Sequence, residues 1–447
     1  MPVPVDLGLL DPLTDDVALL IGDAAYLDAM VQVERALLGA LADVGAATPG
    51  VEHALDAVAA RLDLPAIAAA SAHDGNPVLP LLAALRRVLP DEAADRLHYG
   101  ATSQDVIDSA AMLVASAARL AVLQTLAITR AQLATLADQH RTTPMAGRTL
   151  GQHAAPTTFG LRMSVLLDGV TRAADRLAAV ELPAQLGGSV GSLAVLVDAL
   201  GIERTEALRR SFASRLGLAY RSGVWQVERS AVAELGAALA GLVVALGRIG
   251  LEVVQLTRTE IAEVALEQSG GGSSAMPQKH NPVPAVLLVA AARRAPGLAA
   301  TLLAAGLALD DRPAGDWHAE WPALRELLRL ALEAAAAARS TVGALHADPA
   351  RMLRNLALSR GAVHAERAQR ALAVFFGGRG AADLVAAALA DEGDFVDALI
   401  ESVERTPGVD PVEITARLRE VTRLGGPIGL SQELIDDAVA AAEGDVR

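Results

Sequence analysis

A long stretch without proline constrains the fold of this chain more than any other feature. More than ninety residues separate Pro183 from Pro277. Proline breaks a helix because it lacks an N–H group and its ring clashes with the preceding turn, so a stretch without it allows very long helices. Aliphatic residues recur at three- and four-residue steps from Leu235 to Leu256, which is the spacing of one helical face. We therefore predict a single helix over residues 225–267, about 40 residues and roughly 60 Å long.

The composition favours helix along most of the remaining chain. Alanine and leucine dominate, β-branched runs are scarce, and no alternating strand pattern persists. We therefore predict an all-α fold. A long apolar helix needs partners on most sides, so the predicted architecture has a central bundle of long helices that subunits share. The glycines Gly236, Gly241, Gly247 and Gly250 would let neighbouring helices approach closely.

Two breaks in the helical pattern predict domain boundaries. The first follows the polar segment His98–Asp105, and the second is the turn-like segment His346–Pro349. They divide the chain into an N-terminal helical domain at 1–108, a central long-helix bundle domain at 109–348 and a C-terminal helical domain at 349–447.

Charge and composition exclude several classes of partner. The formal net charge is −15, and an acidic surface repels phosphate backbones, so we expect no nucleic-acid partner. The chain has no cysteine, which rules out disulfides, thiol catalysis and cysteine metal sites. The nine histidines show no paired metal-ligand spacing, and no glycine-rich nucleotide motif follows a strand pattern. We expect neither a metal nor another cofactor.

The sequence also bears on location. The N-terminal residues lack the basic and apolar regions of a signal peptide, and we expect a cytoplasmic protein. Mean hydropathy is high, at +0.35. The longest apolar run, 235–247, has about 13 residues, whereas a helix that spans a bilayer needs roughly 20. We therefore expect no membrane partner and attribute the hydropathy to alanine in buried helix interfaces.

The segment Gln268–Pro284, which reads QSGGGSSAMPQKHNPVP, carries the strongest chemical signal. Three consecutive glycines make its backbone permissive, two serines follow with hydroxyl groups, and Lys279 adds a cation. This inventory suits a site that holds an anion, transfers a proton and excludes water. An ordinary Gly/Ser linker is the alternative, but a linker has no reason to place MPxKxNP behind its serines.

The same segment resembles the signature of the fumarase/aspartase superfamily, GSSxMPxKxNP. Every fixed position of that signature is filled, by Gly272, Ser273, Ser274, Met276, Pro277, Lys279, Asn281 and Pro282. The resemblance implies a three-domain fumarase/aspartase-like fold and a homotetramer whose sites are shared between subunits. It implies that Ser273 transfers a proton at the carbon next to a carboxylate and that Lys279 is a catalytic cation. It also implies that Ser274, Met276 and Asn281 contact the substrate.

A second segment, His98–Asp105, reads HYGATSQD and places small hydroxyl residues beside a glycine at the start of a predicted helix. Backbone N–H groups and hydroxyls in such a position can bind a carboxylate. The plainer alternative is that Thr102 or Ser103 caps the helix and does nothing more. The segment resembles the first conserved region of the superfamily, HxGxTSxD. This resemblance implies that His98, Thr102 and Ser103 bind substrate.

A third segment, Gly147–Ala154, reads GRTLGQHA and resembles the superfamily region GRTHxQxAxP. The resemblance implies that Thr149 and Gln152 bind substrate. Most members carry a histidine after the threonine that helps with general acid work, and here that position is Leu150. Leucine cannot move a proton, which argues against adenylosuccinate, argininosuccinate and fumarate chemistry in their usual form. His153 either substitutes in part as a catalytic group or is a hydrogen-bonded wall residue.

A fourth segment, Asp310–Pro322, holds two of the three tryptophans of the chain. A tryptophan pair can wall off a small planar substrate, or it can simply pack a core at a helix start. The segment resembles the ERxxGxWxAEW stretch of bacterial 3-carboxy-cis,cis-muconate cycloisomerases, with Asp311 in place of glutamate. This resemblance implies that Arg312 and Trp317 bind substrate. His280 departs from the arginine that usually follows the signature lysine.

Shorter stretches at 75–81 and 187–193 resemble the same enzymes. The resemblance implies an intramolecular lyase, a cycloisomerase that lactonises 3-carboxy-cis,cis-muconate to 4-carboxymuconolactone in protocatechuate (β-ketoadipate) degradation. The substrate would then be a tricarboxylate. The candidate groups for its carboxylates are Lys279, Arg312, Asn281, Thr102, Ser103, Thr149 and Gln152.

Two alternatives stay open. One is another β-elimination lyase of the superfamily, either adenylosuccinate lyase-like or from specialised metabolism. An adenylosuccinate lyase should need a basic cluster for phosphate near the N-terminus, where the first forty residues hold only Arg35. A specialised lyase could keep the tryptophan-rich segment. The other alternative is a catalytically silent relative, which would have been free to lose Ser273 or Lys279.

Overall fold

The computed structural model describes residues 17–56, 58–267, 272, 276, 279–424 and 428–444. Helices make up most of this part of the chain, which confirms the all-α prediction. They are α1 (Ala18–Ile21), α2 (Asp23–Asp43), α3 (Leu64–Asp74), α4 (Val78–Val88), α5 (Asp91–Arg96), α6 (Ser103–Gln139), α7 (Phe159–Ala179), α8 (Ala194–Leu200), α9 (Ile202–Leu216), α10 (Ser230–Leu256), α11 (Val283–Ala305), α12 (Asp316–Gly343), α13 (Pro349–Ala357), α14 (Ala365–Leu389), α15 (Phe395–Glu404), α16 (Pro411–Val421) and α17 (Ser431–Gly444). Short 3-10 helices lie at Val51–Leu55, Ala59–Arg61 and Ala362–His364.

The strands in the described residues form two small antiparallel pairs. Strands β1 (Pro144–Thr149) and β2 (Gln152–Thr158) form a hairpin. Strands β3 (Val264–Leu266) and β4 (Leu345–Ala347) pair over three residues each. Neither pair shows a persistent alternating pattern in the sequence, so neither was predicted.

The predicted length of the helix over 225–267 is wrong, because the helix in the structure is shorter. Helix α10 begins at Ser230 and ends at Leu256. The chain turns after α10, because the N–H of Glu263 donates to the carbonyl of Leu256 at 2.9 Å and Ala262 adopts φ 48°. Strand pairing of β3 with the distant β4 then takes over the backbone hydrogen bonds.

The predicted close approach of a neighbouring helix is found at Gly236 and Gly247 of α10, but not at Gly241, where an added Cβ atom would meet no described atom within 4 Å. A Cβ atom at Gly236 would clash with the side chain of Leu302, and one at Gly247 would clash with that of Ala292. Both neighbours lie on α11. Glycine at these positions therefore lets α10 and α11 pack more closely than alanine would allow.

The chain groups into two compact units, each built from separate segments. The first unit comprises the chain up to Leu126 together with Ala173–Gly247 and Leu287–Ala337. The second comprises Ala127–Arg172, Arg248–Val286 and the chain from Ala338 onward. In the second unit, α14, α15 and α16 enclose an apolar core that includes Leu372, Leu399 and Leu418. The three-domain boundaries at 108 and 348 stay a prediction.

Within the residues that the structure describes, four helices are long and apolar enough to cross a membrane by length and composition alone. They are Ser103–Gln139, Ser230–Leu256, Val283–Ala305 and Ala362–Leu389. Counting uninterrupted apolar runs missed them, because scattered charges interrupt windows whose average is still strongly apolar. In α6 and α10, 56% of the most apolar window is buried inside the fold. The expectation that no membrane is involved stays a prediction.

Candidate functional site

The N-terminus of α6 is tied to a glycine-rich turn by one buried carboxylate. Asp105 is 1% exposed, and it accepts N–H groups of Thr102 at 3.0 Å, Gly187 at 2.9 Å and Gly188 at 2.9 Å. Gly188 has φ 69°, a left-handed conformation that glycine adopts without strain. The carboxylate therefore holds the loop before α6 and the segment at 187–193 in one arrangement. Sequence reasoning did not select Asp105, although it stands in the HxGxTSxD pattern.

Arg312 lies against this loop and is held by neutral oxygens. Its Nη2 donates to Thr102 Oγ1 at 2.8 Å and to the carbonyl of Ser189 at 3.2 Å, and its Nε donates to Gln104 Oε1 at 3.3 Å. Within the part of the chain that the structure describes, Arg312 forms no ion pair with a carboxylate. An unneutralised guanidinium at a helix N-terminus is an anion site, because both the charge and the helix dipole favour a carboxylate.

The hydroxyl groups at this site are placed to donate. Thr102 Oγ1 already accepts from Arg312, so its own hydrogen is left for another acceptor. Ser103 is the first residue of α6, and its hydroxyl has no hydrogen-bond partner among residues 17–56, 58–267, 272, 276, 279–424 and 428–444. Thr102, Ser103 and Arg312, which were each predicted to bind a substrate carboxylate, thus lie together in the first unit. Their roles as substrate ligands stay predictions.

His98 lies four residues before Thr102 in the sequence, and Glu34 holds it in a fixed orientation. Its backbone has φ 61°, its N–H donates to Glu34 Oε2 at 2.9 Å, and its Nδ1 lies 2.6 Å from Glu34 Oε1. The Glu34 side chain is fully buried, whereas that of His98 is 16% exposed. The pair fixes the His98 ring through Nδ1 and leaves Nε2 on its other edge. A substrate-binding role for His98 stays a prediction.

A buried quartet of Asp108, Arg229, Trp317 and Glu320 anchors the start of α12. Arg229 Nη1 lies 2.7 Å from Asp108 Oδ2, and Arg229 Nη2 lies 2.5 Å from Glu320 Oε2. Trp317 Nε1 donates to Asp108 Oδ1 at 3.0 Å, and the residue is only 3% exposed. Its ring packs edge-on against Trp321 at 4.8 Å between centroids. This placement favours core packing for Trp317, and its role as a substrate wall stays a prediction.

A cavity of about 460 Å³ lies beside the buried quartet in the first unit. Apolar side chains such as Met30, Ile67 and Ile107 form most of its described wall. The guanidinium groups in that wall are paired: Arg229 with the quartet carboxylates, and Arg325 with Asp23 at 2.6 Å. A polyanion gains little from paired cations, so the site at Arg312 suits a carboxylate better than this cavity does.

In the second unit, the β1–β2 hairpin carries three predicted site residues. Thr149 pairs with Gln152 across a two-residue turn, and His153 pairs with Arg148. Leu150 and Gly151 form the turn with φ 49° and 82°, the left-handed pair that a tight hairpin turn requires. The side chains of Thr149, Gln152 and His153 have no hydrogen-bond partner within the described residues. Leu150 is fully exposed at the tip, so no proton-transfer group occupies that position.

A bidentate ion pair fixes this hairpin close to its turn. Arg148 Nη2 and Nη1 donate to the two carboxylate oxygens of Glu263 at 2.6 and 2.9 Å. The Glu263 side chain is fully buried, and Asn355 Nδ2 donates to the same carboxylate at 2.8 Å. Sequence reasoning missed Glu263 and Asn355. The contacts among Arg148, Glu263 and Asn355 fix the backbone beside Thr149 and Gln152.

The signature segment is described only in part. Ser273, Ser274 and Pro277 lie outside the described residues, so the roles predicted for both serines stay predictions. Gly272 bridges His280 in an antiparallel manner, and the N–H of Lys279 donates to the carbonyl of Met276 at 3.0 Å.

Lys279 and Asn281 lie just before α11. Lys279 is exposed and forms no ion pair with the residues that the structure describes. The carbonyl of Asn281 accepts the N–H of Val283 at 2.8 Å, where α11 begins. The second unit thus has two candidate groups, the hairpin residues and the set Met276, Lys279 and Asn281. Across the described ranges, no cluster of three His, Asp or Glu side chains could hold a metal ion.

Asp105 predicts a pH-dependent contribution to stability. Burial raises the pKa of Asp105 to about 7, although the N–H groups of Gly187, Gly188 and Thr102 lower it. An unfolded aspartate has a pKa of about 3.9. Because the folded state binds the proton more tightly, the stabilising contribution is complete below about pH 4 and is lost as the pH rises to about 7.

The measurement is urea unfolding of the natural protein and of Asp105→Asn at a series of pH values. We expect the free energy of unfolding of the natural protein, relative to the variant, to fall between about pH 4 and about pH 7. A difference that stays constant or rises over this range would contradict the raised pKa of Asp105.

Comparison with known proteins bears on the whole chain. Nitrosuccinate lyase of Streptomyces davaonensis is 40% identical over 453 aligned positions, which cover 98% of this chain and 96% of the relative. The 3-carboxy-cis,cis-muconate cycloisomerase of Bradyrhizobium diazoefficiens is 37% identical and covers 95% of each chain. The crystal structure of 3-carboxy-cis,cis-muconate lactonizing enzyme from Pseudomonas putida superposes with a TM-score of 0.87 at 30% identity, and covers 98% of this chain and 100% of that chain.

A family profile described as "Lyase" matches residues 18–297. This match includes the loop before α6, the β1–β2 hairpin and the signature segment. The sequence, the helical architecture and these similarities agree. The chain is an enzyme that belongs to the fumarase/aspartase superfamily of lyases.

Proposed function

We propose that this enzyme is a 3-carboxy-cis,cis-muconate cycloisomerase that closes its substrate to 4-carboxymuconolactone. The observation that carries the proposal is the hairpin tip. Most superfamily members place an acid histidine there, whereas this chain exposes Leu150. The reaction must therefore proceed without a second protein acid at that position. The similarity to enzymes of this name at 37% identity over 95% of the chain supports the same assignment.

The chemistry of lactonisation meets that requirement. One carboxylate of the substrate attacks its own diene and a C–O bond forms, so the nucleophile belongs to the substrate. The displaced electrons are held as an aci-carboxylate, and the hydroxyl of Ser273 delivers one proton to the neighbouring carbon. In the reverse direction the carboxylate departs as a weakly basic anion, which needs no acid to protonate it. Intramolecular attack also supplies much of the entropic advantage.

The protein groups divide the work of binding three carboxylates. Arg312, Thr102 and Ser103 offer a cation and two hydroxyl donors. Thr149 and Gln152 offer neutral donors on the hairpin, and Lys279 with Asn281 supplies a cation and an amide from the signature segment. Lys279 also stabilises the Ser273 alkoxide that forms when the proton leaves. We propose that a homotetramer assembles these groups into complete sites.

A second candidate is elimination of nitrite from nitrosuccinate. The specific observation that favours it is the 40% identity to a nitrosuccinate lyase over 98% of this chain. Nitrite is also a weakly basic anion, so its departure tolerates Leu150 equally well. Both reactions transfer a proton at the carbon next to a carboxylate. They differ at the adjacent carbon, where lactonisation forms a C–O bond and elimination from nitrosuccinate releases nitrite.

One experiment separates the two candidates. Purified protein is mixed with 3-carboxy-cis,cis-muconate while the conjugated-diene absorbance is followed, and with nitrosuccinate while released nitrite is measured by diazo coupling. We expect kcat/KM to be at least about 100-fold higher for the muconate, since the site would bind its transition state better by about 3 kcal/mol. Nitrite release without loss of diene absorbance would assign the second candidate instead.

A further inference from the structure

Gln104 is a buried residue whose side-chain amide contacts Arg312, the cation of the candidate anion site. It is 0% exposed. Its Nε2 donates to the backbone carbonyl of Gln226 at 2.7 Å, and its Oε1 accepts from Arg312 Nε at 3.3 Å. Because a carbonyl only accepts and a guanidinium only donates, this orientation of the amide is the one that satisfies both neighbours. Gln104 therefore presents an oxygen to Arg312.

We propose that Gln104 is a positioning residue that orients the guanidinium of Arg312 toward an anionic group of the substrate. The proposal rests on the proposed function in one respect, namely that Arg312 binds a substrate carboxylate. Gln104 itself does not touch the substrate, because it is fully buried.

The contacts of Arg312 define which of its atoms meets the ligand. Nε is bound by Gln104, and Nη2 is bound by Thr102 and Ser189. Nη1 is left without an acceptor in the described part of the chain. The guanidinium is planar and rigid, so fixing two of its nitrogens also fixes the direction of the third. A carboxylate at this site then meets Nη1 and the hydroxyl hydrogen of Thr102.

The neutrality of Gln104 matters as much as its oxygen. A carboxylate in its place would form an ion pair with Arg312 and cancel the charge that attracts the substrate. The residue that accepts from the Gln104 amide, Gln226, is itself held in place, because its Nε2 donates to the carbonyl of Gly188 at 2.7 Å. Gln226 thus links Gln104 to the turn that Asp105 holds. The whole network orients Arg312 while leaving its positive charge available.

The test compares two substitutions with a matched control. Gln104→Met keeps the volume but removes the acceptor, and we expect it to raise KM for 3-carboxy-cis,cis-muconate by about tenfold or more, with kcat changed by less than about threefold. Gln104→Glu should raise KM further, because it neutralises Arg312. The control is Gln185→Met, another fully buried glutamine of the same unit, which contacts Trp225 and Asp108 rather than Arg312. We expect it to lower the melting temperature without raising KM.

A double-mutant cycle and a binding measurement separate this proposal from the proposed function. In an Arg312→Met background, Gln104→Met should have almost no further effect on KM, because its action passes through Arg312. Tricarballylate binding, measured by calorimetry, should weaken by a similar factor in Gln104→Met, whichever substrate is turned over. An unchanged KM and tricarballylate affinity in Gln104→Met, or a full loss that persists without Arg312, would overturn the positioning role.

Discussion

Replacement of Ser273 by alanine is expected to lower kcat by at least about 100-fold, the usual scale for a positioned acid–base group. The reason is that the Ser273 hydroxyl is the proposed source of the proton that reaches carbon, and alanine has no proton to transfer. The measurement is the steady-state rate of diene loss at saturating substrate. KM should change far less than kcat, because the hydroxyl acts in the transition state.

The matched control for this prediction is Ser222→Ala, an exposed serine of the first unit. It should retain full turnover, and both variants should keep the assembly state of the natural protein on a sizing column. Near-normal turnover in Ser273→Ala would remove this residue from the mechanism.

The second large effect is expected on stability, from Arg229→Met. This substitution leaves Asp108 and Glu320 buried without their cation, since the side chains of these carboxylates are 4% and 3% exposed. Breaking one partner out of a buried ion network typically costs about 3–5 kcal/mol. We expect the free energy of unfolding, measured by urea denaturation, to fall by about that amount. The Trp317 contact to Asp108 should loosen as well.

Two comparisons make the Arg229 result specific. Arg172→Met removes an exposed pair with Asp168, in which the arginine side chain is 67% exposed, and should cost no more than about 1 kcal/mol. The triple variant Asp108→Asn, Arg229→Met, Glu320→Gln removes all three charges together, and we expect it to recover much of the lost stability. A loss below about 1 kcal/mol in Arg229→Met alone would contradict the account of the buried quartet.

The helical architecture followed from local features of the sequence. The absence of proline and the spacing of leucines predicted a long helix, and α10 is that helix. Its C-terminal end was not predictable in the same way. Strand β3 is three residues long and is stabilised by β4, which lies about eighty residues further along the chain. A strand that depends on so distant a partner leaves no periodic signal of its own.

The residues of the candidate site that stand in recognisable motifs could be predicted from the sequence. The buried polar residues that contact them from distant positions in the chain could not. The hydroxyls of Thr102 and Ser103 and the charge of Arg312 stand in segments that resemble known regions, and the structure brings them together. Gln104 reaches Arg312 across 208 positions of sequence, and Arg148 reaches Glu263 across 115. Single buried polar residues of this kind show no spacing that would mark them as partners.

At the tip of the β1–β2 hairpin, Leu150 replaces the acid histidine of most superfamily members and also has a strained backbone conformation. A leucine at φ 49° is uncommon, because the left-handed region is unfavourable for residues with a Cβ atom. At this turn the strain is tolerated, since the two-residue hairpin requires positive φ at both positions. The leucine is also fully exposed. The sequence alone identified the loss of the histidine, but it did not show that the position is the apex of a hairpin.

The most direct test of the account is the range of leaving groups that the enzyme accepts. Its central claim is that proton transfer beside a carboxylate proceeds with no second acid at the Leu150 position. The measurement is kcat/KM for 3-carboxy-cis,cis-muconate and nitrosuccinate, whose reactions involve weakly basic carboxylate and nitrite, against malate, whose reaction must release hydroxide. We predict turnover of at least one of the first two substrates and none of malate. Elimination from malate at a comparable kcat/KM would contradict the claim.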